Sequence, residues 1–130
     1  MMDCFADSAV GAVSGELIIR KGASHDEADI GLYRRYENWI RNRLSDVDSI
    51  FGVLGSFYAL RRELAVPIPA DQLLDDMYLP LAAFFRGYLL IVEPRALAFD
   101  YPTSRETEFT RKARTLAGNY QILRSYPELI

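Results

Sequence analysis

The stretch from Asp75 to Val92 constrains this chain more than any other. It opens on two adjacent carboxylates, Asp75-Asp76, and continues through Met77-Tyr78-Leu79-Pro80-Leu81 into a run that stays apolar except at Arg86-Gly87. A helix that crosses a bilayer needs ~20 apolar residues. Residues 77–92 are fewer than that and are interrupted by Arg86-Gly87, so they read as a helix over 77–85 followed by a buried strand over 88–92. One acidic residue is enough to cap a helix. A second one, at the mouth of a cleft with arginines arriving from elsewhere in the chain, suits a general base facing an anionic leaving group. The plainer alternative is that both carboxylates simply favour the positive end of the helix.

The rest of the chain supplies partners for that joint. Residues 2–5 read as the tail of a helix, and 10–20 as a strand bent at Gly15. A polar loop over 22–27 contains His25. From 29 to 44, Ile30, Tyr33, Tyr36, Ile40 and Leu44 recur at three- and four-residue steps, with Trp39 widening the stripe and arginines on the other faces. This is an amphipathic helix. Gly52 to Gly55 is a turn, 57–60 a short strand, and Pro67 and Pro69 mark a loop. Pro94 turns the chain before a further strand over 96–100, and Pro102-Thr103-Ser104 breaks it again. A basic amphipathic helix covers 107–125, with Gly118 as its weak point. Short strands alternating with helices predict an α/β layer structure, with a mixed sheet of few strands and exposed edges.

Composition excludes several functions. At 130 residues the chain is one domain or a piece of one. A net charge of −3 gives no nucleic-acid footprint. All but Lys21 and Lys112 of the 15 basic residues are arginine, the better fork for carboxylate and phosphate oxygens, although base composition of the genome also enriches arginine. Cys4 is the only cysteine and His25 the only histidine. Cysteine clusters, histidine-based zinc sites and Ser-His-Asp mechanisms therefore have little to draw on, and a metal-dependent hydrolase lacks its ligands. The single cysteine fits a reducing, cytoplasmic setting, and Met1-Met2-Asp3-Cys4 reads without the basic and apolar segments of a signal peptide.

Six segments in order carry a family resemblance: Val10-Gly11-Ala12-Val13-Ser14-Gly15; Gly55-Ser56-Phe57-Tyr58-Ala59-Leu60-Arg61-Arg62-Glu63; Asp75-Asp76-Met77-Tyr78-Leu79; Gly87-Tyr88; Glu93-Pro94-Arg95-Ala96; and Arg111-Lys112-Ala113-Arg114. Together they resemble the second half of a family 2 glycosyltransferase catalytic domain. That family has the GT-A fold and includes cellulose, chitin and hyaluronan synthases and many bacterial polysaccharide synthases. The resemblance implies a partial GT-A-like sheet whose N-terminal nucleotide-binding half is absent. It implies Asp76 as the base that takes the acceptor hydroxyl proton and Asp75 as its acidic neighbour. Gly55, Ser56, Phe57 and Tyr58 would border the acceptor sugar, and Arg111 and Arg114 would hold the nucleotide diphosphate. The last motif departs from the Gln-x-x-Arg-Trp of processive members, with Arg111 in place of Gln and Thr115 in place of Trp.

The implied partners are a nucleotide-sugar donor and a glycan or lipid acceptor, with Mg²⁺ or Mn²⁺ required by a complete enzyme but no metal ligand in this chain. Full-length relatives can sit at the inner face of a membrane. Asp46-Val47-Asp48 spells the Asp-x-Asp metal signature but follows an amphipathic helix, and reads as a helix end. On this reading the chain is inactive alone and completes a site with another segment. The rival is a non-enzymatic interaction or oligomerisation module that uses the sheet edge and the aromatic stripe Tyr33, Tyr36, Trp39. Those rings are either core, interface or an acceptor path.

Overall fold

β1 (Val10–Ile19) is the centre of the molecule, because both of its edges are paired. The computed structural model describes residues 1–20, 25–101 and 105–129, with side chains left aside at 25–31 and 105. β1 pairs antiparallel with β2 (Tyr58–Leu60) and parallel with β3 (Leu89–Asp100), giving the order β2-β1-β3. The helices are α1 (His25–Val47), α2 (Asp75–Phe84) and α3 (Arg105–Ser125). A 3-10 turn, Met2–Ala6, precedes β1. The chain is thus a mixed α/β structure on a three-stranded mixed sheet. No helix among the described residues is long and apolar enough to cross a membrane.

Two features of β1 follow from its glycines. At Gly15 the register against β3 jumps, from Ser14 opposite Val92 to Glu16 opposite Leu97. A Cβ on Gly15 would sit 2.6 Å from the Ala96 carbonyl oxygen and 2.5 Å from the Phe57 ring. The strand bend read at Gly15 is therefore a bulge, in which residues 93–96 of β3 loop past a single position. This corrects the separation of 88–92 from 96–100. Pro94 lies in the bulge, where no ladder N–H is required of it, so β3 runs on as one strand.

α2 ends where Gly87 takes φ +87, with Gly87 N–H bonded to Phe84 O at 2.8 Å and Tyr88 N–H to Ala83 O at 3.2 Å. This left-handed closure suits glycine and turns the chain directly into β3. A core cluster of Ala12, Ile50, Val53, Leu64, Ala83 and Leu90 joins the sheet to α2 and the loop after α1, and Val13 and Leu81 are buried as well.

α1 contradicts the simplest reading of its sequence. Leu32, Tyr33, Tyr36 and Trp39 face solvent, Trp39 at 57% exposure. The face that meets the sheet is polar. Asn38 Nδ2 donates to Leu17 O at 3.2 Å, Asn42 donates to Glu16, and Ser45 Oγ accepts the Val92 N–H at 2.9 Å. These groups lie at helical spacing along one stripe, and they satisfy polar atoms of β1, β3 and the bulge. Outside, Tyr36 stacks on Trp39 with centroids 6.3 Å apart, and Arg43 lies 6.0 Å over the indole. The backbone at His25 is helical, not loop. Asp26 and Glu27 are helical too, while residues 22–24 of that predicted loop, and the break at 102–104, lie outside the described residues.

Candidate functional site

Asp75 and Asp76 occupy the first turn of α2, and Leu74, which precedes them, supplies no side-chain cap. α3 fixes this helix start from the side. Gln121 Oε1 accepts the Leu73 N–H at 2.9 Å, Gln121 Nε2 donates to Asp71 O at 2.7 Å, and Arg114 Nη2 donates to Leu73 O at 3.0 Å. Further along, Tyr126 Oη donates to Tyr78 O at 3.1 Å and its ring packs on Tyr78 and Phe85. Gly118 makes the approach possible. A Cβ there would fall 2.7 Å from Leu74 Cδ1, so the glycine read as a weak point in α3 is the position where the helix meets Leu74.

From the opposite side comes the 52–56 loop. Gly55 lies so close to Asp76 that a Cβ would be 2.9 Å from the carboxyl carbon and nearer still to Oδ2. Arg41 holds this loop from α1, donating to Ser14 Oγ at 2.9 Å and Gly52 O at 3.0 Å. The same Ser14 hydroxyl, fully buried, accepts the Leu54 N–H at 2.9 Å. Burial lowers the Arg41 pKa from its ordinary value, with nearby Arg34 adding to the effect and Glu37 and Glu16 opposing it.

The result is a cleft of about 230 Å³ lined by Gly55, Leu73, Leu74, Asp75, Asp76, Arg111, Arg114 and Thr115. Three segments far apart in sequence thus meet: the glycine turn, the acidic pair and the basic stretch of α3. Burial raises the Asp76 pKa above the usual carboxylate range, and the Asp75 charge adds to the rise. The backbone N–H groups of Asp76 and Met77 and the Arg114 guanidinium pull the other way. Asp76 thus stands in the first turn of α2 and lines the cleft. Arg111 is exposed and lies 3.3 Å from Glu108.

The other expected acceptor-side residues divide. Ser56 and Gly55 line a larger groove that opens from the cleft. Phe57 instead packs its ring on Gly15 and accepts the Gly15 N–H at 3.0 Å. Tyr58 packs against the core, and its pKa is raised by burial and then by the charges of Asp75 and Asp76. Arg61 is bound up in structure, donating to Val10 O, Phe5 O and Asp7 O at 2.6, 2.8 and 2.7 Å.

Sequence reasoning missed Arg41, Ser14 and Gln121. For Arg41 the available signal was the polar stripe of α1, which shares its helical spacing. Asp46 and Asp48 stand at the end of α1, Asp46 exposed at 3.9 Å from Arg43, and neither lines the cleft. Among the described residues no three His, Cys, Asp or Glu side chains are grouped to hold a metal ion, so the metal implied by the GT-A resemblance finds no built site in them.

Chemically, the cleft pairs a carboxylate of raised basicity with two guanidinium groups and the positive end of α2. That combination can take a proton on one side and stabilise an anion on the other. A scan against protein-family models finds no match, and neither does a search among curated proteins.

Proposed function

We propose that this chain forms the acceptor side of an inverting glycosyltransferase site. The observation that carries the reading is the convergence of Gly55, Asp75, Asp76, Arg111, Arg114 and Thr115 on one cleft, from segments that the sequence keeps apart. The acceptor hydroxyl gives its proton to the Asp76 carboxylate as its oxygen attacks the anomeric carbon of a nucleotide sugar. The bond from that carbon to the diphosphate breaks in line, and the departing charge meets Arg111, Arg114 and the N-terminus of α2. Burial of Asp76 supports the role, because it raises the basicity of the carboxylate. The Gly55 seat fixes the carboxylate in place. The exposed outer edge of β2, paired only to β1, is where a donor-binding segment would extend the sheet.

The test is titration of a nucleoside diphosphate into the purified chain, followed by calorimetry or NMR. Binding should weaken in Arg114→Ala and Arg111→Ala and hold or tighten in Asp76→Asn, which removes a nearby negative charge. Reconstituted with a donor-binding segment, Asp76→Asn should fold and lose turnover. Absence of diphosphate binding, or full turnover in Asp76→Asn, would end the proposal.

A second reading has one observation in its favour, the solvent-facing stripe of Leu32, Tyr33, Tyr36 and Trp39 on α1. An apolar patch of this kind suits self-association. Light scattering on the wild type and on Trp39→Asp separates the two. Loss of an oligomer without loss of diphosphate binding assigns the stripe to association and the cleft to chemistry.

A further inference from the structure

The loop that seats Asp76 is uncharged from end to end. Gly52-Val53-Leu54-Gly55-Ser56 carries no titratable side chain, so what it brings to the carboxylate is bulk that keeps water away. The charges around Asp76 come from other elements. They are Asp75 beside it, Arg111 and Arg114 of α3 in the same cleft, and the Tyr58 phenol of β2, which feels both carboxylates. Arg34, Glu37, Arg41, Asp100, Glu108 and Lys112 stand along the wider groove that opens from the cleft.

The loop is held from outside, on both sides of Gly55. Upstream, Arg41 Nη2 donates to Gly52 O at 3.0 Å and the Leu54 N–H donates to Ser14 Oγ at 2.9 Å. Downstream, the Gly15 N–H donates to Phe57 O at 3.0 Å. Ser14 sits in β1 opposite Tyr58 of β2 and Val92 of β3, so the anchor is the middle of the sheet. Its hydroxyl is fully used. It accepts from Arg41 Nη2 and the Leu54 N–H, each at 2.9 Å, and donates to Gly15 O at 3.1 Å. A serine hydroxyl has one proton and two lone pairs, so nothing is left over for a ligand. Arg41 likewise gives both bonds of Nη2 to neutral oxygens within the protein.

Resting on the reading of Asp76 as the base, we propose that Arg41 and Ser14 are its positioning residues: through the 52–55 loop they hold Gly55 against the carboxylate, fix its place and keep it dry. This clamp and a plain charge effect of Arg41 have opposite signs. Removing a cation from near a carboxylate raises its pKa, and removing the bulk that covers it lowers the pKa.

The experiment follows the aspartate carboxyl carbons of the ¹³C-labelled purified chain against pH, with Asp76→Asn identifying the Asp76 signal. The Asp76 midpoint should fall toward the ordinary carboxylate range in Ser14→Ala and in Arg41→Met, and Arg41→Lys should recover part of the wild-type value. Amide exchange at Leu54 should quicken about fivefold or more in the first two variants, as for the loss of one buried hydrogen bond. Asn38→Ala removes a bond from the same helix to Leu17 O and is the control for a loosened α1; it should leave the midpoint in place. Circular dichroism reports folding, and Ser14→Ala, the loss of one oxygen atom, carries the test if Arg41→Met does not fold. A midpoint that stays put in Ser14→Ala, rises in Arg41→Met or falls equally in Asn38→Ala overturns the proposal. So does loss of nucleoside diphosphate binding in Arg41→Met with the midpoint unmoved, which makes Arg41 a ligand. If the wild-type chain binds no diphosphate while the midpoint falls as expected, the reading of Asp76 as the base falls and the clamp stands.

Discussion

Replacing Gly118 by alanine sets two known effects against each other. In an exposed helix interior, Gly→Ala stabilises by about 1 kcal/mol, because the backbone loses less entropy on folding. Gly118 is buried, however, and its added Cβ would lie 2.7 Å from Leu74 Cδ1 and 3.2 Å from Cδ2, with the branch carbon Cγ nearer than either. The obstruction is at the root of the side chain, so swinging the methyl tips aside does not relieve it. Overpacking of this kind costs about 1–3 kcal/mol. The difference is a net loss of up to about 2 kcal/mol. The assay is urea denaturation followed by circular dichroism, reading the midpoint at constant m. The control is the same substitution on a Leu74→Ala background, where Cγ is gone and the helix gain should return as about 1 kcal/mol of stabilisation. If Gly118→Ala raises the midpoint equally in both backgrounds, the packing of α3 on Leu74 described above is wrong.

Three further outcomes follow from the site. Asp76→Asn should stabilise the fold, and the gain over wild type should grow from mildly acidic to neutral pH. The raised folded-state pKa means that the native chain binds the Asp76 proton more tightly than the unfolded chain, so wild-type stability from this group is lost as pH rises through that pKa. Denaturation at pH 4 and pH 7 reads this, and an equal effect at both would refute it. Gly55→Ala should push the Asp76 carboxylate out of its seat at a cost of about 1–3 kcal/mol, and the carboxyl titration followed by ¹³C NMR should fall back toward the ordinary range. Arg41→Met should strand the Gly52 carbonyl and cost about 1–3 kcal/mol, and Arg41→Lys should recover part of that loss, since both bonds leave the single nitrogen Nη2 and an ammonium carries enough N–H groups for both acceptors. Loss of amide-exchange protection at Leu54 is the local readout.

How far the sequence spoke depended on what kind of force placed each residue. The existence of α1 was plain from its periodicity, but which face turns inward was not. Periodicity assumes that apolar residues seek the core, and here Asn38, Arg41, Asn42 and Ser45 are drawn inward by backbone groups at the sheet edge and by Ser14 and Glu16. Those partners are set by tertiary structure. Pro94 looked like a strand end because a ladder cannot use it, yet Gly15 opposite it opens a bulge that needs no donor there. The start of α2 was legible because two carboxylates before an apolar helix are an unusual local choice, and the structure brings them to Arg111 and Arg114. Gly118 was misread for the opposite reason. Helix propensity is a local quantity, and the Leu74 side chain that needs the space is far away in sequence.

The parallel pairing of β1 with β3 has a consequence in time. Val10 lies opposite Leu89, so the central strand waits for the last third of the chain before its second edge is closed. α1 and α3 can form from neighbours within a few turns, but the sheet has to close a loop of most of the molecule, and loops of that length slow folding. Until residues 89–100 arrive, the apolar segment Val10-Gly11-Ala12-Val13 has only the three residues of β2 to pair with. During synthesis or dilution from denaturant this interval is when the chain is most open to pairing with another copy of itself. Refolding yield should therefore fall with protein concentration more steeply than the native state's own tendency to associate would suggest.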